Sequence, residues 1–158
     1  MMKVIQTETG FTVTVGVGDP CNNVFDCPES YRQAQQGLEL LRRSTGGNVI
    51  ASWSEMGVYK LLYGVVGTPE GSGFMERYLG PLLNDERPAG ATLLNTLQTT
   101  VSCNWNLKDA ATAMNVHYNT LKYRWRKICD ILGIDPSKSG DRLNVMIALK
   151  LYRMHKKA

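Results

Sequence analysis

The stretch Ala110–Ile128 reads AATAMNVHYNTLKYRWRKI, and its interpretation decides the fold. It holds two short apolar patterns three residues apart, and its second half is crowded with basic side chains. A helix-turn-helix needs particular residue types at fixed offsets, and this segment supplies them. Small side chains in the first helix let a second helix approach closely, which Ala110 and Ala111 provide. The turn needs a residue that tolerates φ > 0. Asn115 is the best substitute for glycine there, because its side chain bonds locally. Val116 then plugs the angle. Leu121, Trp125, Ile128 and Leu132 recur at i, i+4, i+7 and i+11, which predicts a core-facing stripe on the second helix.

That arrangement leaves Asn119, Lys122, Tyr123 and Arg126 facing outward, with Tyr118 at the helix start. A recognition helix enters the major groove with its N-terminal end against base edges. Lys can donate to guanine, Asn can pair with adenine, and Tyr offers apolar or hydroxyl contacts. Thr120, Arg124, Arg126 and Lys127 suit phosphate contacts, which set affinity and register without reading sequence. The expected recognition helix runs from His117 to about Leu132. The plainer alternative is an antiparallel helix pair with a solvated basic surface.

Working outward, Asn106 is a good helix N-cap, and Asp109 three residues on complements the helix N-terminus. Upstream, ATLLNTLQTTVSC places Leu93, Leu94, Leu97 and Val101 on one face. Downstream, DRLNVMIALKLYRMH carries an apolar stripe of Leu143, Met146, Ile147 and Leu151. Everything from Ala91 onward reads as helix. The N-terminal part differs. GFTVTVGVG alternates Phe11, Val13, Val15 and Val17 against threonines and glycines, the pattern of a half-buried strand. A loop follows, with Asp26 placed to cap a helix and Pro28 suited to its first turn. Tyr31, Ala34, Leu38 and Leu41 then recur at helical spacing. NVIASW reads as a second strand, and EMGVYKLLYGV as a short helix carrying Leu61, Leu62 and Val65.

The fold class is therefore α+β and mostly helical. Residues 1–66 form a partial β-α-β region, 67–90 a linker (GTPEGSG) and a helix broken at Gly80-Pro81, and 91–158 the helix-turn-helix domain.

Charge follows this division. Residues 1–104 hold 7 Lys+Arg against 10 Asp+Glu, whereas 105–158 hold 11 against 4. A basic C-terminal module points to a polyanion, with nucleic acid foremost. Cys21, Cys27, Cys103 and Cys129 lack the paired spacing of a zinc site and read as reduced structural thiols. No metal or cofactor is expected. No apolar run reaches the roughly 20 residues of a membrane span. The start MMKVIQTETG lacks the order of a secretory signal, so a cytoplasmic location is expected.

At LKDAATAMNVHYNTLKYRWRKI, Leu107–Ile128, the chain resembles the C-terminal helix-turn-helix of the purine-catabolism regulator (PucR, or sugar-diacid regulator) family of bacterial transcription factors. That module is similar to the DNA-binding part of the factor for inversion stimulation. The family's vHxNTLxYR run stands here as Val116 to Arg124. YLGPLL, LLNTLQT and DRLNVMIALKL also fit its pattern, and TVTVGVGDPCNN with SYRQAQQGLELLRR resembles the end of the family's degenerate GGDEF-like domain. The resemblance implies that His117, Tyr118 and Lys122 lie nearest the bases, while Thr120, Tyr123 and Arg124 line phosphates. Tyr118 stands where the family often has Arg, and Trp125 where it usually has Leu.

Three functions compete. The first, and the one the residues favour, is a transcriptional regulator binding double-stranded DNA as a homodimer whose effector is sensed by an upstream region. Its seam would be the helix from Ala91 to Cys103 or the incomplete sheet, whose open edges need pairing. The second is an enzyme, for which Gly16 and Gly18 would cradle phosphate and Asp19, Asp26 and Glu29 would supply carboxylates. The GGDEF signature and a Walker lysine are both missing from the sequence. The third is a protein-interaction module anchored by Trp53, Tyr63, Tyr78 and Trp105.

Overall fold

The computed structural model describes residues 13–44, 49–85 and 88–155, without the side chains of 41–44 and 88. The first twelve residues, Phe11 among them, on which the expected leader assignment rests, and the side chain of Leu41 lie outside that set.

The β-α-β order expected from the sequence is present. Val15–Val17 (β1) and Ile50–Ser52 (β2) pair in parallel, with Val15 opposite Ile50 and Val17 opposite Ser52. Parallel neighbours require a crossover, and Cys27–Ser44 (α1) supplies it. Gly16 in β1 and Gly18 just after it explain how α1 sits so close. A Cβ on Gly16 would lie 2.2 Å from the Ala34 carbonyl oxygen, and one on Gly18 would lie 2.0 Å from that of Ser30. Their identity is fixed by helix contact, a different task from cradling phosphate. Ser30 Oγ donates to the Asp19 carbonyl at 2.6 Å, and the Asp19 amide donates to Gln33 Oε1 at 2.8 Å. These bonds tie the loop after β1 to the helix.

Several details differ from expectation in this region. Asn23, rather than Asp26, supplies a capping oxygen, accepting from the Phe25 amide at the head of a short 3-10 turn, Val24–Asp26. Tyr31 is exposed, while Leu40 is buried. In the short helix Val58–Tyr63 (α2), Leu62 is buried but Leu61 is exposed. Tyr63 donates its hydroxyl to Glu39 Oε2 at 2.6 Å.

The chain divides into two compact units, 1–68 with 152–158, and Pro69–Leu151. The second opens with Pro69–Leu83 (α3), so most of the segment read as linker is helical. Pro69 takes the first helical position, where its missing N–H would be unpaired anyway. The helix also continues through Gly80-Pro81 instead of breaking there. Pro81 removes one donor from the ladder, and the last turn is still held by the Asn84 amide, which donates to the Gly80 carbonyl at 2.9 Å.

Pro88–Ser102 (α4), Leu107–Ala113 (α5), Tyr118–Leu132 (α6) and Ser139–His155 (α7) complete the described helices. Within the second unit α6 packs against α3, α4 and α5. Leu79, Leu97, Leu121, Ile128 and Val145 are fully buried there. The apolar stripe expected on α7 is corrected in part: Leu151 is buried and Ile147 half-buried, but Leu143 and Met146 are exposed, and Val145, Ala148 and Leu149 are buried instead. The two candidate faces overlap in composition, so only packing separates them. None of the described helices is long and apolar enough to cross a membrane.

Candidate nucleic-acid interface

The interface is built on one turn. Asn106 caps α5 with its side-chain oxygen, accepting from the amides of Lys108 (3.0 Å) and Asp109 (3.5 Å). The helix then stops at Asn115, which adopts φ +52° as expected from the sequence. The Asn115 amide donates to the Thr112 carbonyl and the Val116 amide to that of Ala111, both at 3.0 Å. Such a left-handed stop satisfies carbonyls that the helix end leaves orphaned. Val116 packs on the small cluster of Ala110, Ala111 and Leu121, with Cys103, Leu107 and Met114 around it. Two alanines and one valine thus set the angle at which α6 leaves.

His117 opens α6. Its Nδ1 accepts from the Asn119 amide at 3.2 Å, and its backbone is extended, with φ −64° and ψ 142°. The sequence reading gives His117 a base-facing role only; the capping bond is an addition, since imidazole is an uncommon cap. Gly133, at φ +63°, ends the helix.

Along α6 the side chains separate as the periodicity predicts. Leu121 and Ile128 are fully buried, and Trp125 and Leu132 are half-buried. Trp125 meets Trp105 edge to face at 5.8 Å, and the Arg142 guanidinium lies 5.5 Å from the Trp105 ring. His117, Tyr118, Asn119, Thr120, Lys122, Tyr123, Arg126 and Lys127 are all exposed. Arg124 is half-buried, on the flank between the two faces. Among the described residues, Lys122, Arg126 and Lys127 have no ion-pair partner. Their charge is therefore available to a ligand rather than spent within the chain.

Two residues were not singled out by sequence reasoning. Lys108, from α5, joins Thr112, Asn115, His117 and Tyr118 around an open concavity of about 610 Å³ that has no carboxylate in its lining. Its signal in the sequence is weak, a single lysine outside the basic run. Asp130 is exposed on α6 near its C-terminal end, which leaves the first two turns as the uniformly non-acidic part of the helix.

The rival features have other uses. Glu29 accepts from Arg32 at 2.6 Å and 2.8 Å, and that guanidinium holds its carboxyl below the usual value. Trp53 lies under Lys60, with 5.1 Å from Nζ to the ring, and the Tyr78 and Phe74 rings meet at a tilt of 45° with centroids 4.7 Å apart. Trp53, Tyr63, Tyr78 and Trp105 are each half-buried. All four thiols are free, but Cys21 and Cys27 are exposed, so they are not structural packing as the sequence suggested. No group of three or more metal-ligating side chains occurs among the described residues.

Comparison with known proteins agrees with this geometry. Residues 93–151 match the PucR C-terminal helix-turn-helix domain, and residues 1–40 match a GGDEF-like domain. The DNA-binding transcriptional activator AdeR of Bacillus subtilis is 25% identical over 143 residues, covering 90% of this chain and 34% of that protein. The proline-responsive transcriptional activator PutR of the same organism is 26% identical over 145 residues, covering 89% and 34%. The purine catabolism regulatory protein of B. subtilis is 23% identical over 143 residues, covering 90% and 27%. The chain spans about a third of the length of such relatives. The chain thus carries a PucR C-terminal helix-turn-helix domain over residues 93–151, with a GGDEF-like match over residues 1–40.

Proposed function

We propose that this chain binds double-stranded DNA as part of a bacterial transcriptional regulator, with α6 as the recognition helix. The observation that carries the proposal is the exposed, unpaired basic face of α6, held away from the core by the Asn115 turn. His117, Tyr118, Asn119 and Lys122 lie in its first two turns and are assigned to the base edges. Thr120, Tyr123, Arg124, Arg126 and Lys127 are assigned to phosphates, Arg124 from its half-buried flank.

A homodimer suits this use, because two-fold symmetry places two recognition helices about one turn of DNA apart. The two-stranded sheet gives it a seam, since no third described strand covers either outer edge. An effector would act through a region upstream of this chain, and the working compartment would be the cytoplasm.

Selection from a pool of random duplexes tests the reading, followed by titration of the selected duplex at rising salt. Enrichment of one sequence, with affinity falling steeply as salt rises, is the expected result. Failure to retain any duplex at low salt would remove the proposal. Binding of a protein partner unaffected by salt would favour the interaction-module reading instead.

A further inference from the structure

We infer that His117 has two tasks at once, capping α6 through Nδ1 and presenting Nε2–H to a hydrogen-bond acceptor on the duplex. The inference rests on the DNA-binding reading above. Its basis is the 3.2 Å bond in which Nδ1 accepts from the Asn119 amide. A backbone N–H only donates, so Nδ1 must be unprotonated, and the ring proton of the neutral imidazole then sits on Nε2. The protein thereby fixes both the tautomer and the direction of the remaining donor.

That donor has no acceptor among the described residues. His117 is exposed and lines the concavity shared with Lys108, Thr112 and Tyr118, where no carboxylate could take the proton. A ligand at this point must offer an acceptor. On a duplex the shared chemistry is found at a phosphodiester oxygen or at the N7 of a purine. His117 is a positioning residue for α6 and also discriminates against any site that offers a donor there.

The tautomer is tested on the free chain. Long-range proton–nitrogen spectra at mildly alkaline pH should show His117 with a bare Nδ1 and a protonated Nε2. The reverse tautomer would overturn the inference. Binding is tested with the duplex that the parent protein selects. H117N keeps a capping oxygen, but its amide donor stops short of the Nε2 position, so it should retain thermal stability and bind more weakly than the parent. H117S keeps the cap but is too short to reach DNA, so it should stay as stable and bind roughly tenfold more weakly. H117A should lose both.

If H117S binds like the parent, the outward donor has no role and the inference fails while DNA binding stands. If the parent itself retains no duplex, both fall together. Duplexes carrying a methylphosphonate or a 7-deazapurine then distinguish the acceptor. The analogue that weakens the parent tenfold and leaves H117S unchanged identifies it, and no effect from either would also overturn the inference.

Discussion

Asn104 and Asn115 are two copies of one device. Each takes a left-handed backbone, φ +51° and +52°, directly after a helix. In each case its own amide donates three residues back, to Val101 or Thr112, and the next amide donates five back, from Trp105 to Thr100 or from Val116 to Ala111. The residues that follow differ: Val116 packs on Ala110, Ala111 and Leu121, whereas Trp105 is itself left-handed at φ +66° and meets Trp125 edge to face. The same stop therefore ends α4 and α5, and α6 inherits its direction from the second.

Replacing Asn115 by Gly should leave stability unchanged or slightly raised, because glycine has no Cβ to strain at positive φ. Asn115→Val should cost about 1–2 kcal/mol. Thermal melting of the two variants checks this, and equal melting temperatures would contradict the role given to the turn.

Gly16→Ala should destabilise the β-α-β unit by about 3 kcal/mol, since the added Cβ would press on backbone at Ala34 rather than on a flexible side chain. Denaturant titration measures the loss. A variant as stable as the parent would show that α1 can shift outward at little cost.

Lys122→Ala should relax sequence preference, costing roughly 1–3 kcal/mol at one base pair. Arg126→Ala should weaken all duplexes alike and reduce the salt slope by about one phosphate's share. Competition with mutated duplexes separates the two effects. Parent-like binding by both variants would place the interface elsewhere.

The Thr100 hydroxyl is buried without a hydrogen-bond partner among the described residues. Thr100→Val keeps the shape and removes the unpaired group, so it should stabilise by about 1 kcal/mol. A lower melting temperature would mean that the hydroxyl has a partner in solution.

Burial pushes the Cys129 thiol up to about 11, and the Asp130 and Asp135 carboxylates add to the shift. The folded chain favours the neutral thiol. That contribution is full below the ordinary thiol value of 9.0 and is lost as pH rises from there towards 11. Thiol labelling near neutral pH should therefore modify exposed Cys21 before Cys129. Equal rates at the two sites would count against the burial.

The helix-turn-helix was legible because its information is local. Asn106, Ala110, Ala111, Asn115 and Val116 each act within a few residues of the bonds they control, and the α6 stripe repeats with the helix period. The candidate face follows as whatever that stripe leaves outside. Arg124 shows the limit of this logic: its place on a flank depends on which neighbours crowd it.

What the sequence by itself determined is the order of elements, the sharp turn at Asn115, and the separation of an apolar from a basic face on α6. Only the tertiary structure decided that α3 runs unbroken through Pro81, that α7 buries Val145 and Ala148 while Leu143 stays exposed, and that Gly16 and Gly18 serve helix contact. The reason is physical. Turns and caps are governed by bonds spanning a few residues, whereas the choice between two apolar faces, or the need for a missing Cβ, depends on surfaces brought together from distant parts of the chain.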